Sequence, residues 1–102
     1  MSPIPGRALV FTPEAETDLA QVRAWYAQVS PALADRFSRA VQDGCRLIVE
    51  QPLAWPQVAR GLRKLVLRRF PYSLLYRVET AVITVAVVAH HKRRPGFWHR
   101  RS

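Results

Sequence analysis

With 102 residues, of which 49% are hydrophobic, the chain can fold as one small domain around a single modest core, and wholesale disorder is excluded. A formal net charge of +9 points to an anionic partner, such as nucleic acid or an acidic protein segment. One cysteine, Cys45, excludes an internal disulfide and a cysteine-based metal site, as suits a reducing cytoplasm.

The N-terminal part of the chain predicts a strand and then a helix. Residues 8–11 are a short apolar run. Thr12 is a suitable N-cap, and Pro13 fits the first helical turn. The acidic residues Glu14, Glu16 and Asp18 suit the positive end of the helix dipole better than a catalytic carboxylate pair. The apolar residues at helical spacing are Ala15, Leu19, Val22, Tyr26 and Val29.

A second helix follows directly. Ser30 and Pro31 repeat the cap-and-proline signal, and Pro52 lies beyond the end of the helical pattern. Because no linker separates the two helices, they must fold back on each other as a hairpin. The periodic positions are Leu33, Phe37, Ala40, Val41, Gly44 and Ile48.

The rest of the chain predicts a loop and three strands. Residues 51–61 contain two prolines and read as a loop, with Trp55 packed onto the core. Strands are predicted at residues 62–70, 72–79 and 81–89. The last is rich in valine and isoleucine on both faces, as in a central strand, and forms a hairpin with the one before it. The order β-α-α-β-β-β describes an α+β fold, in which an N-terminal helical hairpin packs on a small, mostly antiparallel sheet.

The strand predicted at residues 62–70 places Leu65 and Leu67 on one face and carries arginines on both. Because side chains alternate along a strand, Arg63 and Arg69 share one face and Arg68 takes the other. The three arginines therefore cannot all belong to one patch. Charge that protects an edge strand from aggregation is an alternative explanation for them.

The chain shows no export or membrane signal. The start MSPIPGRALVF has no long apolar run after a basic residue, and the apolar run at residues 81–89 is too short to cross a bilayer. We therefore expect a cytoplasmic protein without membrane contact. It should form a single domain over residues 1–102, with flexible ends at residues 1–7 and 99–102.

Candidate functional side chains concentrate in the C-terminal segment AHHKRRPGFWHRRS, which contains all three histidines. His90 and His91 follow the most buried strand, so the sheet should hold them on opposite sides, and they cannot chelate a metal together. Either could be a general base, a phosphate contact or a structural residue. Arginines next to Phe97 and Trp98 offer partner anchoring, although the two aromatic rings could instead close the core.

The positive charge belongs to the second half of the chain. Residues 1–50 hold five basic and six acidic side chains, a balance of −1, whereas residues 51–102 hold eleven basic and one acidic, a balance of +10. An anionic partner is expected to bind this second half. The alternative is a basic surface that is merely solvated.

Three segments carry a family resemblance: FTPEAETDLAQVRAWY, GLRKLVLRRFPYSLLYRVE and AVITVAVVAHHKRRPGFW. In this order and spacing they resemble the RelE/ParE superfamily of bacterial toxins, from type II toxin–antitoxin or plasmid-stabilisation modules, over residues 8–98. None of the segments is a catalytic signature by itself. The resemblance implies a compact toxin that arrests growth and is neutralised by a co-expressed antitoxin.

Two branches of the superfamily differ in their targets. RelE-like members cleave mRNA on the ribosome, which needs a proton acceptor, a proton donor and cations at the phosphate, whereas ParE-like members inhibit DNA gyrase. Where the ribonucleases have an arginine in the middle strand, this sequence has Ser73, and only His99 lies near their C-terminal proton donor. The resemblance is therefore closer to the ParE branch. A RelE-type endonuclease and a non-toxic basic nucleic-acid-binding module are the alternatives.

A ParE-like toxin would act by binding, without catalytic residues, cofactor or metal. Its partners would be DNA gyrase as the target and a ParD-like antitoxin with an acidic C-terminal segment, in a hetero-oligomer with the toxin. We predict target contacts by His90, Arg93, Arg94, Phe97 and Trp98. We predict antitoxin contacts by Arg63, Arg68, Arg69 and Trp25.

Overall fold

The computed structural model describes residues 8–92, so the ends predicted to be flexible lie outside the described residues. Two helices and five strands follow one another along the chain. They are β1 (Ala8–Phe11), α1 (Pro13–Val29), α2 (Pro31–Glu50), β2 (Gln57–Ala59), β3 (Leu62–Val66), β4 (Tyr72–Val78) and β5 (Val82–His90). The α+β prediction is confirmed. The short strand β2 lies in the segment that was predicted to be only a loop.

The strands form one sheet in the order β1-β5-β4-β3-β2. β1 pairs with β5 in parallel, and all other neighbours are antiparallel. β4 and β5 form the predicted hairpin, and β5 has a strand neighbour on both sides. β5 is therefore an inner strand of the sheet, as its valine and isoleucine content predicted.

One residue, Ser30, joins the two helices. Its hydroxyl accepts the Leu33 N–H at 3.3 Å and caps the start of α2, while its own N–H donates to the Tyr26 carbonyl at 2.9 Å at the end of α1. Thr12 caps α1 in the same way, through a bond of 3.1 Å from the Ala15 N–H. Because a single extended residue serves both helix ends, the chain reverses direction there and the helices pack as a hairpin.

The main core lies between the helical hairpin and one face of the sheet. Leu65 and Leu67 are buried in it and Val66 is 52% exposed, as the alternation along β3 predicts. Val29 was placed on the buried stripe of α1, but its side chain is 65% exposed because the helix ends there. The largest fully buried side chains are Tyr76, Phe37, Ile48, Leu74, Leu75, Ile83, Val85 and Val87.

Helix α2 lies close to the sheet at Gly44. A Cβ atom at this position would lie 3.0 Å from Leu65 Cδ2, 3.1 Å from Leu67 Cδ2 and 3.3 Å from Leu74 Cδ1. The absence of a side chain lets the helix backbone rest directly on these three leucines. The close approach therefore sets the distance between α2 and the edge of the sheet.

A β-bulge in β5 determines which side chains at the end of this strand face the helices. Tyr76 is opposite Val85 but Leu75 is opposite Val87, so Ala86 is an extra residue. Val85 and Val88 consequently both contribute to the core under the helices, whereas Val87 lies in a second apolar cluster made only of sheet residues and their neighbours. Before the bulge, the side chains of β5 that face the helices belong to odd-numbered residues, and beyond it they belong to even-numbered ones.

Asp18 has a structural role that the sequence did not predict. β1 ends at Phe11, so β5 loses its parallel neighbour beyond Val85. There the Asp18 carboxylate accepts the Val88 N–H at 3.1 Å. Glu14 and Glu16 lie in the first turn of α1, where acidic side chains suit the helix dipole as predicted. Asp18 has the further role of accepting a hydrogen bond from a backbone N–H of the sheet.

Candidate functional site

The strand predicted at residues 62–70 ends at Val66. Leu67 still donates its N–H to the Tyr72 carbonyl at 2.9 Å, and the chain then turns, with Arg69 in the left-handed region at φ 69°. For a residue with a Cβ, this conformation costs about 1–2 kcal/mol. The prediction that Arg68 and Arg69 lie on opposite faces of a strand is therefore wrong, because both belong to the turn between β3 and β4.

Both turn arginines line a groove between α2 and β3, which we call the α2–β3 groove. It has a volume of about 540 Å³. Its basic residues are Arg36 and Arg39 from α2 together with Arg68 and Arg69. Its apolar lining includes Leu47, Leu65, Val66 and Leu67. The groove thus combines an apolar lining with four guanidinium groups.

The charge of the α2–β3 groove is not neutralised by the described part of the chain. The two ion pairs found among residues 8–92 are Arg23–Asp35 at 3.3 Å and Arg46–Asp43 at 2.7 Å. Asp43 is the acidic residue of the groove, and Arg46 already binds it. The four arginines of the groove lack a described carboxylate partner, so the groove is strongly positive.

Arg36 and Arg39 were not singled out from the sequence. A signal was present, since they recur three residues apart on the flank of α2 that also carries Leu33, Ala40 and Leu47. An amphipathic helix is expected to have a charged outer face, so this spacing alone does not identify a site. Only the packing of α2 beside the β3–β4 turn brings these arginines together with Arg68 and Arg69.

Arg63 has a different environment from the groove arginines. It donates hydrogen bonds to the carbonyls of Leu53, at 3.1 Å, and Trp55, at 2.6 Å. The Tyr76 hydroxyl donates to the Pro52 carbonyl of the same loop at 2.6 Å. Arg63 thus holds the loop after α2 against the sheet, and its predicted contact with an antitoxin stays a prediction.

Trp25 is the fourth residue predicted to contact an antitoxin. It lies on α1, is 59% exposed and makes an edge contact with Tyr26 at 5.1 Å between ring centroids. It does not line the α2–β3 groove. An exposed tryptophan is a suitable anchor for a partner, but its role also stays a prediction.

His90 is the one predicted target contact that lies within the described residues. Its ring packs edge-on against Tyr72 at 4.9 Å, and its Nδ1 accepts the Lys92 N–H at 3.0 Å. His91 is exposed, and its N–H donates to the Pro71 carbonyl at 2.9 Å. Of the two histidine side chains, the His90 ring is therefore the one that is fixed by contacts within the described residues. The other predicted target contacts, Arg93, Arg94, Phe97 and Trp98, lie outside the described residues.

An aromatic cluster connects His90 with the α2–β3 groove. Tyr72, which contacts His90, lies 5.7 Å from Phe37, and Phe37 lies 5.4 Å from Phe70. Phe70 is part of the groove lining. His90 and the α2–β3 groove therefore both contact the same continuous set of packed aromatic rings.

Comparison with known protein families identifies the family to which this chain belongs. Residues 9–95 match the sequence profile of the family described as "ParE toxin of type II toxin-antitoxin system, parDE". The chain belongs to the ParE toxin family. A solved structure titled "Chromosomal ParDE TA system from P. aeruginosa" contains a chain with the same fold, at a TM-score of 0.72 and 20% identity over 82% of this chain and 95% of that one. Comparison with curated protein sequences found no match.

Burial changes the acidity of three tyrosines in the described part of this ParE-family chain. Burial raises the pKa of the Tyr76 hydroxyl to about 12, with the nearby charge of Arg63 opposing the shift, and burial also raises the pKa of Tyr26 and of Tyr72. Residues 8–92 contain no group of three His, Cys, Asp or Glu side chains that could hold a metal ion. Neither helix in this range is long and apolar enough to cross a membrane.

Cys45 is expected to react slowly with alkylating reagents. Burial raises the pKa of its thiol from 9.0 to about 11, so the reactive thiolate is scarce at neutral pH. The folded thiol keeps its proton to a higher pH than the unfolded one. Its contribution to stability is therefore complete below about pH 9 and is lost as the pH rises through about 11. Iodoacetamide labelling followed against pH, with the urea-unfolded chain as the reference, tests this. Equal rates for the two states at neutral pH would contradict it.

Proposed function

We propose that this ParE-family toxin arrests growth by binding DNA gyrase and is neutralised by a cognate antitoxin. The observation that carries the proposal is the match to the ParE toxin family over residues 9–95. The structurally similar chain comes from a ParDE toxin–antitoxin system, which supports a ParD-like partner here. The strongly positive α2–β3 groove is compatible with an antitoxin that carries an acidic segment.

The environment of Ser73 supports action by binding rather than by RNA cleavage. Ser73 occupies the position of the arginine that the resemblance assigns to the ribonuclease branch, and it is 2% exposed. Its hydroxyl is buried and has no hydrogen-bond partner among residues 8–92. A hydroxyl buried in this way cannot reach an attacked phosphate, and it carries no positive charge to offset the negative charge that develops there. The hydroxyl of Tyr76, three residues further along β4, already donates a hydrogen bond to the Pro52 carbonyl.

A pair of assays on the purified toxin tests the target. We expect inhibition of gyrase supercoiling together with a DNA-damage response in cells that express the toxin without its antitoxin. Ribosomes programmed with a defined mRNA should leave that mRNA intact at the same toxin concentration. Normal supercoiling with rapid ribosome-dependent mRNA loss would replace the proposal by the RelE-type endonuclease. If the toxin neither inhibits supercoiling nor causes loss of the mRNA but binds nucleic acid in a salt-sensitive way, the result would favour the non-toxic binding module.

The target surface is proposed to include Arg93 and Arg94 beside Phe97 and Trp98. Replacing both arginines by alanine should abolish growth arrest because it removes two cationic contacts next to the aromatic anchors. The matched control replaces Arg100 and Arg101, which removes the same charge from the same end of the chain. Growth curves measure the effect, and circular dichroism checks that each variant is folded. Full toxicity of the Arg93/Arg94 variant would exclude this surface.

The antitoxin is proposed to be the product of a small neighbouring reading frame with an acidic tail. Its co-expression should restore growth and give a stable hetero-oligomer. Association should be fast and should slow with added salt, because charges at an interface rim act mainly on the association rate. Failure of the neighbouring product to bind below about micromolar concentration would remove the antitoxin part of the proposal.

A further inference from the structure

The face of the sheet turned away from the helices carries the second apolar cluster, and this cluster is almost completely buried. Its side chains alternate along β3, β4 and β5 with those of the main core. Leu75 and Val87, at its centre, are each 1% exposed. The full cluster consists of Leu62, Leu75, Ala86, Val87 and Ala89.

The described part of the chain does not explain this burial. Within residues 8–92 the further apolar side chains that pack against the cluster are Val58 and Ala59, and both come from β2 or its end. A strand of the same sheet lies beside the cluster and cannot cover its face. The loop residues Trp55 and Phe70 pack on the main core instead.

Other side chains on the same face show what an uncovered position looks like. Val10 in β1 and Val66 at the end of β3 are large apolar residues on this face, and each is about half exposed. They flank the cluster on either side. The covered area is therefore a strip that runs from Ala89 at the end of β5, across Leu75, to Leu62 at the start of β3. Two strand spacings and about four residues along the strands give it a length of roughly 16 Å.

The C-terminal segment is placed to cover this strip. The strip is buried within the single chain, so its cover belongs to the same chain. Residues 93–102 follow directly on the turn at residues 91–92, which ends β5 next to Ala89. Six extended residues reach up to about 20 Å, which is enough to follow the strip to its far end. Phe97 and Trp98 lie within that reach.

The N-terminal segment is less suited to this position. Residues 1–7 enter the sheet at Ala8, opposite Val82 at the other end of β5. A segment crossing the face from there would first cover these two side chains, but Ala8 is exposed and Val82 is only partly buried. Residues 1–7 also contain no aromatic ring.

We propose that residues 93–98 fold back across the face of the sheet away from the helices, and that Phe97 and Trp98 cover the second apolar cluster. Two aromatic rings bring the large apolar area that closing such a face requires. The segment also passes over Ser73, whose buried hydroxyl has no hydrogen-bond partner among residues 8–92, and its backbone supplies groups that this hydroxyl can bond. The rings then fix the segment to the sheet and hold the two arginines at its start beside the end of β5. This inference goes beyond the proposed function and holds whatever the target is.

Contacts between the rings and the cluster are measured on the unchanged full chain by nuclear Overhauser effects. We expect cross-peaks from the ring protons of Phe97 and Trp98 to the methyl groups of Leu75 and Val87. The ring currents should also shift these methyl resonances upfield. Spectra over a dilution series separate contacts within one chain from contacts between two copies. Because this measurement needs no substitution, it decides even if a variant fails to fold.

A pair of double variants tests whether the rings stabilise the fold. Phe97→Ser with Trp98→Ser removes the apolar cover and should lower the Tm by at least about 5 °C, because the cluster becomes exposed to water. Arg100→Ser with Arg101→Ser is the matched control in the same segment, and it should change the Tm by less than about 2 °C. The aromatic variant should also bind an apolar fluorescent dye more strongly than the control does.

The inference is overturned if neither ring gives cross-peaks to the cluster, or if the aromatic variant melts at the same temperature as its control. Cross-peaks from Met1 or Ile4 in place of the two rings would overturn it by assigning the cover to residues 1–7. Cross-peaks that disappear on dilution would overturn it by assigning the cover to a second copy of the chain. A chain that shows the expected contacts but does not inhibit gyrase would remove the proposed function and leave the inference standing.

Discussion

Replacing Phe37 by alanine is expected to lower the free energy of unfolding by about 3–5 kcal/mol. Phe37 is fully buried, and its ring contacts Tyr26, Phe70 and Tyr72 at centroid distances of 5.5, 5.4 and 5.7 Å. Alanine would leave a cavity at the centre of these rings, which the surrounding sheet can fill only in part. Because the total stability of a folded protein is about 5–15 kcal/mol, this loss would remove a large fraction of it.

Phe37→Leu is the matched control for this prediction. Leucine keeps most of the buried volume, so the loss should be about 1.5 kcal/mol or less. Urea-unfolding midpoints followed by circular dichroism measure both variants. A loss for alanine no greater than that for leucine would show that the aromatic cluster does not stabilise the fold. The alanine variant should also disturb the α2–β3 groove and His90, since Phe70 and Tyr72 pack on the same ring.

Replacing Gly44 by valine is expected to lower the free energy of unfolding by about 1–3 kcal/mol, because an added side chain overpacks the interface between α2 and the sheet. The nearest atoms to the new Cβ, on Leu65 and Leu67, lie at 3.0 and 3.1 Å, so α2 would have to move outward. Both leucines line the groove, and the movement should widen it.

Gly44→Ala separates this steric effect from helix propensity. Its single methyl meets only the ends of leucine side chains, which can shift slightly, and alanine favours the helix by about 1 kcal/mol over glycine. We therefore expect the alanine variant to stay within about 1 kcal/mol of the parent protein. Thermal unfolding measures the pair. A valine variant as stable as the alanine variant would mean that α2 does not depend on the close approach.

Local signals in the sequence were sufficient to predict the helices. Thr12 and Ser30 each supply a hydroxyl cap, and a proline follows each of them, so both helix starts are determined by neighbouring residues. The break at Pro71, the turn at Thr80 and the run rich in valine and isoleucine likewise predicted β4 and β5 to within one residue. β2 was missed because its three residues, directly after Pro56, are too few to show an alternation and are a strand only through pairing with β3.

The α2–β3 groove could not be predicted because it depends on contacts between distant segments and on one unusual residue. Arg69 adopts a left-handed conformation that usually indicates glycine, so nothing in the sequence showed that the strand ends before it. Without that turn, Arg68 and Arg69 were assigned to opposite faces. Arg36 and Arg39 come from another element and join them only through the packing of α2 on the sheet.

The bulge in β5 has a consequence for comparing this strand with those of other ParE toxins. In a regular strand, the residues sharing the helix side with Ile83 and Val85 would be every second one, and that series would end at His91 instead of His90. The extra residue, Ala86, changes the parity, so that His90 packs on Tyr72 and His91 faces solvent. The histidine that faces the core is therefore set by a backbone insertion and not by its distance from the turn. When this strand is aligned with a regular one, residues beyond the bulge have to be matched by side-chain phase, because counting from the turn would place His91 instead of His90 on the helix side.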